Sequence, residues 1–253
     1  MLHPAFLTRP LAHRGLHGPG MPENSMAAFR AAVAQGYGIE LDIQPAADGT
    51  PLVFHDHDLK RLAGREGMIS ALSPSDATAT RLLGTDETIP TLKAVLDMVA
   101  GRVPVLIEIK DQDGSLGPRM GGLPDRVAEV VAPRQAQGHP IAVMSFNPHA
   151  AAEVRAVAPG VTVGLTSCRF DRDNWPRVPE ARRVALSRLE DFEKVGADFI
   201  SHDHRDLKNP AVVRLAAQGV PVLCWTIRSP AQETAARRIA CNITFEGYLP
   251  QAS

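Results

Sequence analysis

Short apolar runs alternate along the chain with segments whose apolar residues recur at helical spacing. In the run 38–43, apolar side chains alternate with Glu40 and Asp42, which predicts a strand that carries two carboxylates on one face. The preceding segment 26–35 has helical periodicity and ends before Gly36. The first part of the chain therefore predicts a helix followed by a strand with one polar face.

A turn and a return arm are predicted directly after this strand. Asp48-Gly49 is a strong turn signal, and the apolar segment 51–54 follows it. Together they predict a hairpin whose antiparallel return arm brings His55 beside Asp42.

The rest of the chain repeats a strand-then-helix order. The segment 59–90 first makes a polar excursion, which predicts a weakly ordered insertion with one helix capped by Ser73. Further strands are predicted at 103–110, 141–145, 161–165, 198–201, 220–225 and 242–245. Helices are predicted after Thr91, from Pro124 to a stop at Pro133, after Asn147, in an arginine-rich segment ending near Val195, after Asn209 and after Ser229.

With a short entry at 11–12, these elements sum to nine strands, and the arm at 52–54 is expected to lie outside the main sheet. Eight parallel strands with intervening helices in 253 residues predict an α/β fold, a (β/α)8 TIM barrel. One domain over residues 1–253 is expected, with a small insertion at about 56–90 after the hairpin of the second strand. The alternative is an open doubly wound sheet, but no Gly-x-Gly-x-x-Gly motif follows the first strand.

Polar residues concentrate at the predicted carboxyl ends of the strands, where TIM barrels carry their active sites. These residues are His13, Asp42, Glu108, Lys110, Ser145 and Trp225, with Glu40 just inside one end. Histidines, basic residues and carboxylates at one mouth can hold a divalent metal, grip a phosphate and move protons.

Composition and charge narrow the class of partner. Hydrophobic residues make up 44% of the chain, which is enough for a sizeable core. The net charge of -1 comes from 27 basic and 28 acidic residues in mixed order, so neither a nucleic-acid groove nor a polybasic membrane anchor is expected. The start lacks a basic region followed by an apolar core, and the expected location is therefore cytoplasmic, without a stable membrane anchor.

The cysteines indicate neither a disulfide framework nor a zinc ribbon. Cys168, Cys224 and Cys241 are odd in number and widely spaced. We expect reduced and mostly buried thiols.

A set of motifs in order along the chain resembles the glycerophosphodiester phosphodiesterase family. The motifs are Ala12-His13-Arg14-Gly15, Pro22-Glu23-Asn24-Ser25, Glu40-Leu41-Asp42, His55-Asp56, Ile89-Pro90-Thr91-Leu92, Glu108-Ile109-Lys110 and Trp225-Thr226. Any one tripeptide is weak, but the ordered set covers nearly the whole chain. The resemblance implies a (β/α)8 barrel, a divalent metal, and hydrolysis of glycerophosphodiesters to glycerol 3-phosphate and an alcohol.

The resemblance implies that the carboxylates Glu40, Asp42 and Glu108 hold the metal. Oxygen ligands suit Mg²⁺ or Ca²⁺. The competing interpretation is that these are strand-end carboxylates paired with Arg14 or Lys110. Those two basic residues are expected to bind the substrate phosphate, with an ordinary ion pair as the alternative for Lys110.

His13 and His55 are the acid-base candidates, because imidazole titrates near neutral pH. We expect one imidazole to be neutral and the other protonated. By similarity to the family, one deprotonates the attacking hydroxyl and the other protonates the leaving alcohol. The attacking hydroxyl can be the substrate's own glycerol 2-hydroxyl, and the first product is then a cyclic phosphate. The sequence does not say which histidine does which.

Further residues carry weaker signals. His17 is expected to line the mouth, and His202-Asp203-His204 is interpreted as a solvated loop in preference to a metal motif. Trp225 is either a pocket wall or core, and Phe146 is expected to be core.

The sequence departs from the family at its end. Where the family usually has Thr-Asp-x-Pro, this chain has Thr244-Phe245-Glu246-Gly247-Tyr248-Leu249-Pro250, which puts any aspartate role there in doubt. Ser25 stands where threonine is common and keeps the hydroxyl.

Two other functions remain open. The same site could act on a lysophospholipid or another phosphodiester, although no amphipathic membrane helix is evident and a small soluble glycerophosphodiester is favoured. A phosphate-binding barrel without catalysis is the third interpretation. The sequence assigns no oligomeric state.

Overall fold

A computed structural model describes residues 1–250 and places parallel strands in a ring surrounded by helices. The strands are β1 (Leu11–Ala12), β2 (Gly38–Pro45), β3 (Pro51–Val53), β4 (Val105–Ile109), β5 (Ile141–Ser145), β6 (Val163–Ser167), β7 (Phe199–Asp203), β8 (Val222–Ile227) and β9 (Asn242–Phe245). The α-helices are α1 (Ala5–Thr8), α2 (Met26–Ala34), α3 (Lys60–Ala63), α4 (Pro74–Ala79), α5 (Leu92–Val99), α6 (Leu123–Ala136), α7 (Pro148–Val157), α8 (Glu180–Ser187), α9 (Pro210–Ala217) and α10 (Pro230–Ala236). Short 3-10 helices occupy Ile69–Ala71 and His204–Asp206.

The strands close into a barrel. Their order is β1-β9-β8-β7-β6-β5-β4-β2, and β1 also pairs with β2, so this ring of parallel strands has no free edge. β3 lies outside the ring, antiparallel to β2, with Ile43 opposite Val53. The predicted (β/α)8 barrel and the hairpin of the second strand are confirmed, and the alternative of an open sheet is wrong.

Alternation along each strand separates the barrel interior from the helix layer. The residues Ile39, Leu41 and Ile43 of β2 belong to the large apolar cluster that includes the surrounding helices. A second cluster fills the lower interior and is closed from below by Leu2 and Phe6, and it contains Leu11, Leu106, Ala142, Met144, Phe199 and Leu223. Every second side chain of a strand points into the barrel. The interior residue two positions further along the strand therefore lies nearer its carboxyl end.

The insertion is better packed than its sequence predicts. Nine buried residues form a separate apolar cluster there, and they are Ala46, Leu52, Phe54, Leu59, Ile69, Leu72, Ala77, Leu82 and Ile89. Ser73 caps α4 as predicted, accepting a hydrogen bond of 3.1 Å from the main-chain N–H of Asp76. The prediction of a weakly ordered segment with one helix is wrong, because irregularly spaced apolar residues converge from short turns that carry no periodic signal.

Several predicted boundaries shift. β6, β7 and β8 each end two residues later than predicted and begin one or two residues later, because pairing between the strands includes polar residues such as Ser167 opposite His202. The helix predicted to stop at Pro133 continues to Ala136. Pro133 removes one main-chain donor, but the helix buries an apolar face that includes Val127 and Val131, and this packing outweighs the local preference. The arginine-rich helix ends at Ser187, well before Val195.

All three cysteines are free thiols, and Cys168 and Cys224 are buried as expected. Over residues 1–250, no helix has the length and apolar character needed to cross a membrane.

The tight contact between Gly164 and Phe199 in the lower interior predicts a strong coupling between these two positions. A β-carbon at Gly164 would clash with the Phe199 ring, so Gly164→Ala should lower the free energy of unfolding by about 1–3 kcal/mol. Gly160→Ala is the matched control, because nothing lies within 4 Å of its β-carbon position. The cost of Gly164→Ala should shrink when Phe199 is already leucine, as measured by urea unfolding of the four proteins. Additive effects would contradict this packing.

Candidate active site

A cluster of buried carboxylates lies at the carboxyl end of two neighbouring strands. Glu40 and Asp42 are on β2 and Glu108 is on β4, where Asp42 is the register partner of Glu108. The three residues are 2%, 1% and 6% exposed. One oxygen from each side chain can be chosen so that all lie within 4.8 Å of one another. The period of two along the strands puts them on the interior face, as the sequence predicts.

Two basic side chains contact this cluster. The Lys110 ammonium lies 2.7 Å from Asp42 Oδ1 and also contacts Glu108 Oε1. The Arg14 Nε lies 3.2 Å from Asp42 Oδ2, and the Arg14 main-chain N–H donates to Glu40 Oε2 at 3.1 Å. Arg14 adopts a left-handed conformation with φ of 56°, which aims both its main-chain N–H and its side chain at the carboxylates.

Burial and charge together shift the pKa of each carboxyl. Burial, reinforced by the charges of Asp42 and Glu108, raises the pKa of Glu40 well above its ordinary value. Burial also raises the pKa of Glu108, although Lys110 opposes this shift. Burial disfavours the ionised form of Asp42, but Lys110 and Arg14 hold its pKa far below the usual range. Asp42 therefore stays ionised, whereas Glu40 and Glu108 resist ionising beside it as long as no further positive charge is present.

These residues fit a hard divalent cation. Their donors are all carboxylate oxygens, the ligands that Mg²⁺ and Ca²⁺ prefer. The Asn24 side-chain amide donates to Asp42 Oδ2 at 2.9 Å, so a neighbouring group orients one of the candidate ligands. Three buried carboxylates face two basic groups, and Arg14 also pairs with Glu23 at 2.6 Å, which leaves negative charge that a cation would neutralise.

His13 follows β1 and projects into the same mouth. Its Nε2 lies 3.9 Å from Glu40 Oε2, and its Nδ1 lies 2.5 Å from Glu246 Oε2. Glu246 follows β9, and its other oxygen accepts a hydrogen bond of 2.9 Å from Arg228. Burial lowers the pKa of His13, against an opposing effect of the Glu246 hydrogen bond.

His55 reaches the site from the arm after β3, as the hairpin predicts. It lines a cavity of about 480 Å³ together with Glu108 and Lys110. Its Nδ1 lies 2.7 Å from Asp56 Oδ1, and Asp56 pairs with Arg61 at 2.7 Å. Burial and the charge of Lys110 lower the pKa of His55 to about 4.

One neutral and one charged imidazole stays a prediction for the substrate complex. Burial lowers the pKa of both His13 and His55, which favours the neutral form of each ring in the free protein.

Asn24 and Glu23 are among the site residues that were not assigned from the sequence. Asn24 is 1% exposed and holds Asp42 through its side chain. Glu23 accepts from Arg14 at 2.6 Å and from Arg61 at 2.8 Å, so it joins the two sides of the mouth. The Pro-Glu-Asn-Ser motif contains both residues, but only the folded loop brings their side chains to the carboxylates. Ser25 of the same motif caps α2, accepting a hydrogen bond of 3.2 Å from the Ala28 N–H.

An aromatic wall borders the cavity that contains His55. Phe146 and Trp175 line this cavity, with ring centroids 5.0 Å apart. Trp225, the predicted pocket residue, lines an adjacent cavity of about 480 Å³ that it shares with Trp175, Asp203 and Arg205. The ring centroids of Phe146 and Trp225 lie 5.5 Å apart, and Phe146 both packs against a buried apolar cluster and lines the cavity.

The remaining histidines separate clearly. His17 lies near the mouth as expected, with its Nε2 4.0 Å from Glu246 Oε2. His202 is fully buried on β7 and its Nδ1 lies 2.7 Å from Ser167 Oγ, so the interpretation of His202 as part of a solvated loop is wrong. His204 lies in the short 3-10 helix that follows β7.

Known proteins share both the sequence pattern and the fold. A glycerophosphodiester phosphodiesterase of Bacillus altitudinis is 34% identical over 56% of this chain and 59% of its own length. One from Caldanaerobacter subterraneus is 29% identical over 61% of this chain and 65% of its own length. The chain thus spans about three fifths of each of these two relatives. An Oleispira antarctica phosphodiesterase has the same fold, with a TM-score of 0.73, 23% identity, and coverage of 96% of this chain and 94% of that one.

A family profile matches most of the chain. The profile described as the glycerophosphoryl diester phosphodiesterase family matches residues 13–244, a range that includes His13, the carboxylate cluster, His55 and Lys110. The chain therefore belongs to the glycerophosphoryl diester phosphodiesterase family.

Proposed function

We propose that this protein hydrolyses glycerophosphodiesters to glycerol 3-phosphate and an alcohol in a metal-dependent reaction. The observation that carries the proposal is the convergence of three buried carboxylates, two basic side chains and two histidines at one barrel mouth. This set meets the needs of phosphodiester cleavage, which are charge neutralisation, proton removal from the nucleophile and proton delivery to the leaving oxygen.

Glu40, Asp42 and Glu108 would hold the divalent cation, either Mg²⁺ or Ca²⁺. When bound, the cation supplies positive charge that stabilises the charge developing on the phosphate oxygens. The main-chain N–H of Arg14 and the side chain of Asn24 orient Glu40 and Asp42 for this purpose.

Arg14 and Lys110 would bind the substrate phosphate. Both are already at the cluster, and Asp42 and Glu108 raise the pKa of Lys110 despite its burial, so its ammonium remains charged. The guanidinium of Arg14 can offer two parallel donors to a phosphate, although Glu23 and Asp42 hold part of it.

His13 and His55 would move the protons. Each has Nδ1 against a carboxylate, which leaves Nε2 to exchange a proton with substrate. One neutral imidazole takes the proton of the attacking hydroxyl as its oxygen bonds to phosphorus. The other histidine must carry a proton at Nε2 in the substrate complex, a state that the negative charge of the bound phosphate favours, and it delivers that proton to the alcohol oxygen as the bond from phosphorus to this oxygen breaks. If the nucleophile is the glycerol 2-hydroxyl, water then opens the cyclic phosphate to glycerol 3-phosphate.

The names of related proteins, and the product bound to one of them, support this choice of substrate. Both Bacillus altitudinis and Caldanaerobacter subterraneus relatives are glycerophosphodiester phosphodiesterases. The Oleispira antarctica phosphodiesterase of the same fold was solved with the product sn-glycerol-3-phosphate. A small-molecule diester is therefore the proposed substrate.

A lysophospholipid is the second candidate substrate, because the apolar side chains of Leu116, Phe146 and Trp175 line the cavity beside His55 and Lys110. This wall can contact a larger apolar alcohol group. The relative turnover of glycerophosphocholine and lysophosphatidylcholine separates the two candidates, and the primary proposal requires the soluble diester to be preferred.

Metal removal is expected to abolish turnover. EDTA-treated protein should lose glycerophosphocholine hydrolysis, and Mg²⁺ or Ca²⁺ should restore it, because without a cation the buried carboxylates hold Arg14 and Lys110 and repel the phosphate. Release of choline is the measurement. Undiminished hydrolysis after complete metal removal would rule out metal dependence.

Replacing either proposed acid-base histidine should slow the reaction. His13→Ala and His55→Ala are each expected to lower kcat by about 10²- to 10⁴-fold. His139→Ala is the control, because this histidine precedes β5 at the opposite end of the barrel. Circular dichroism should show that the variants remain folded. Wild-type kcat in either His13→Ala or His55→Ala would remove that residue from the mechanism.

A further inference from the structure

The altered end of the chain provides His13 with a carboxylate partner. Glu246 follows β9, and its Oε2 lies 2.5 Å from His13 Nδ1. Its main-chain N–H donates to the Ile227 carbonyl at 2.9 Å, which ties the residue to the end of β8. Glu246 thus lies at the barrel mouth, where the last strand adjoins the first. The family usually carries a different sequence in this segment.

Arg228 fixes the second oxygen of this carboxylate. Its Nε donates to Glu246 Oε1 at 2.9 Å, so each oxygen of Glu246 has its own partner. The His13 hydrogen bond is the main cause that lowers the pKa of Glu246, to about 2. An ionised carboxylate only accepts hydrogen bonds, and His13 Nδ1 must therefore carry the proton. The Nε2 of His13, on the side of Glu40, is left with its lone pair.

The same order of groups occurs at the other histidine. His55 Nδ1 meets Asp56 at 2.7 Å, and Asp56 meets Arg61 at 2.7 Å. The two histidine–carboxylate pairs come from different parts of the chain. His55 and Asp56 are neighbours in sequence, whereas His13 and Glu246 are 233 positions apart. This repetition argues that the carboxylate partner serves the imidazole and is more than a surface ion pair.

A second arrangement of the same residues is less well supported. His13, His17 and Glu246 also lie close enough to hold a metal ion. However, His13 and Arg228 already occupy both oxygens of Glu246, and His17 Nε2 is 4.0 Å from Glu246 Oε2. A cation there would have to break the short hydrogen bond to His13.

We propose that Glu246 is the positioning residue of His13, held in turn by Arg228, and that it fixes the tautomer in which Nε2 of His13 faces the substrate. This inference rests on the proposed function, because it concerns the proton that His13 exchanges. It assigns to the altered segment a glutamate that the motifs of the family resemblance do not contain.

The test compares Glu246→Ala and Glu246→Gln with a surface control, Glu129→Gln, whose partner is Arg126 on the same helix. Glu246→Ala should lower kcat for glycerophosphocholine by about 10- to 100-fold with little change in KM. Glu246→Gln keeps an oxygen that can accept from Nδ1, so it should lose less activity than Glu246→Ala. In a His13→Ala background, Glu246→Ala should cause little further loss, because both act through one imidazole.

A spectroscopic measurement separates this inference from the proposed function. In protein labelled with ¹⁵N-histidine, the His13 signals should show a protonated Nδ1 and an unprotonated Nε2 in the wild type and in Glu246→Gln. In Glu246→Ala the two tautomers should mix. An unchanged tautomer in Glu246→Ala, or equal and additive losses in the wild-type and His13→Ala backgrounds, would overturn the positioning role. Full activity of His13→Ala alone would instead contradict the proposed acid-base function, and the ring signals would still report on Glu246.

Discussion

The burial of three carboxylates against two basic side chains is the interaction on which the rest of the mouth depends. Glu40, Asp42 and Glu108 lie nearly out of contact with solvent, and Lys110 and Arg14 are their nearest positive charges. Leaving one buried charge of such a set without its partner costs about 3–5 kcal/mol. The cluster is therefore stable only as a unit, and a divalent cation is the group that we propose completes its charge balance.

This constraint extends outward through a continuous series of ion pairs. Arg14 joins Asp42 to Glu23, and Glu23 joins Arg14 to Arg61. Arg61 in turn pairs with Asp56, which holds His55. The orientation of His55 is thus linked to the candidate metal ligand Asp42 through the side chains of Arg14, Glu23, Arg61 and Asp56. On the opposite side, His13 depends on Glu246 and Arg228, which come from the ends of β8 and β9.

Much of this could be predicted from the sequence, because strand alternation carries the information. The period of two puts Glu40 and Asp42 on one face, and the Asp48-Gly49 turn brings back the arm with His55. Eight strand-and-helix units then define the barrel, and the ends of the strands define the mouth. What local pattern could not give is contact between distant segments. Glu246 and His13 are 233 positions apart, and Asn24 reaches Asp42 only because the loop before α2 folds over β2. The packed insertion and the buried His202 were missed for the same reason, since both depend on which neighbours the closed barrel supplies.

The most direct measurement of the central claim is a crystal structure of the protein grown with Mn²⁺, a hard cation that can replace Mg²⁺ or Ca²⁺ and can be located by its anomalous scattering. We expect one strong anomalous peak bounded by the carboxylates of Glu40, Asp42 and Glu108. A structure determined at a saturating Mn²⁺ concentration that shows no anomalous peak at these carboxylates, and in which the Lys110 ammonium still bridges Asp42 and Glu108, would contradict the account.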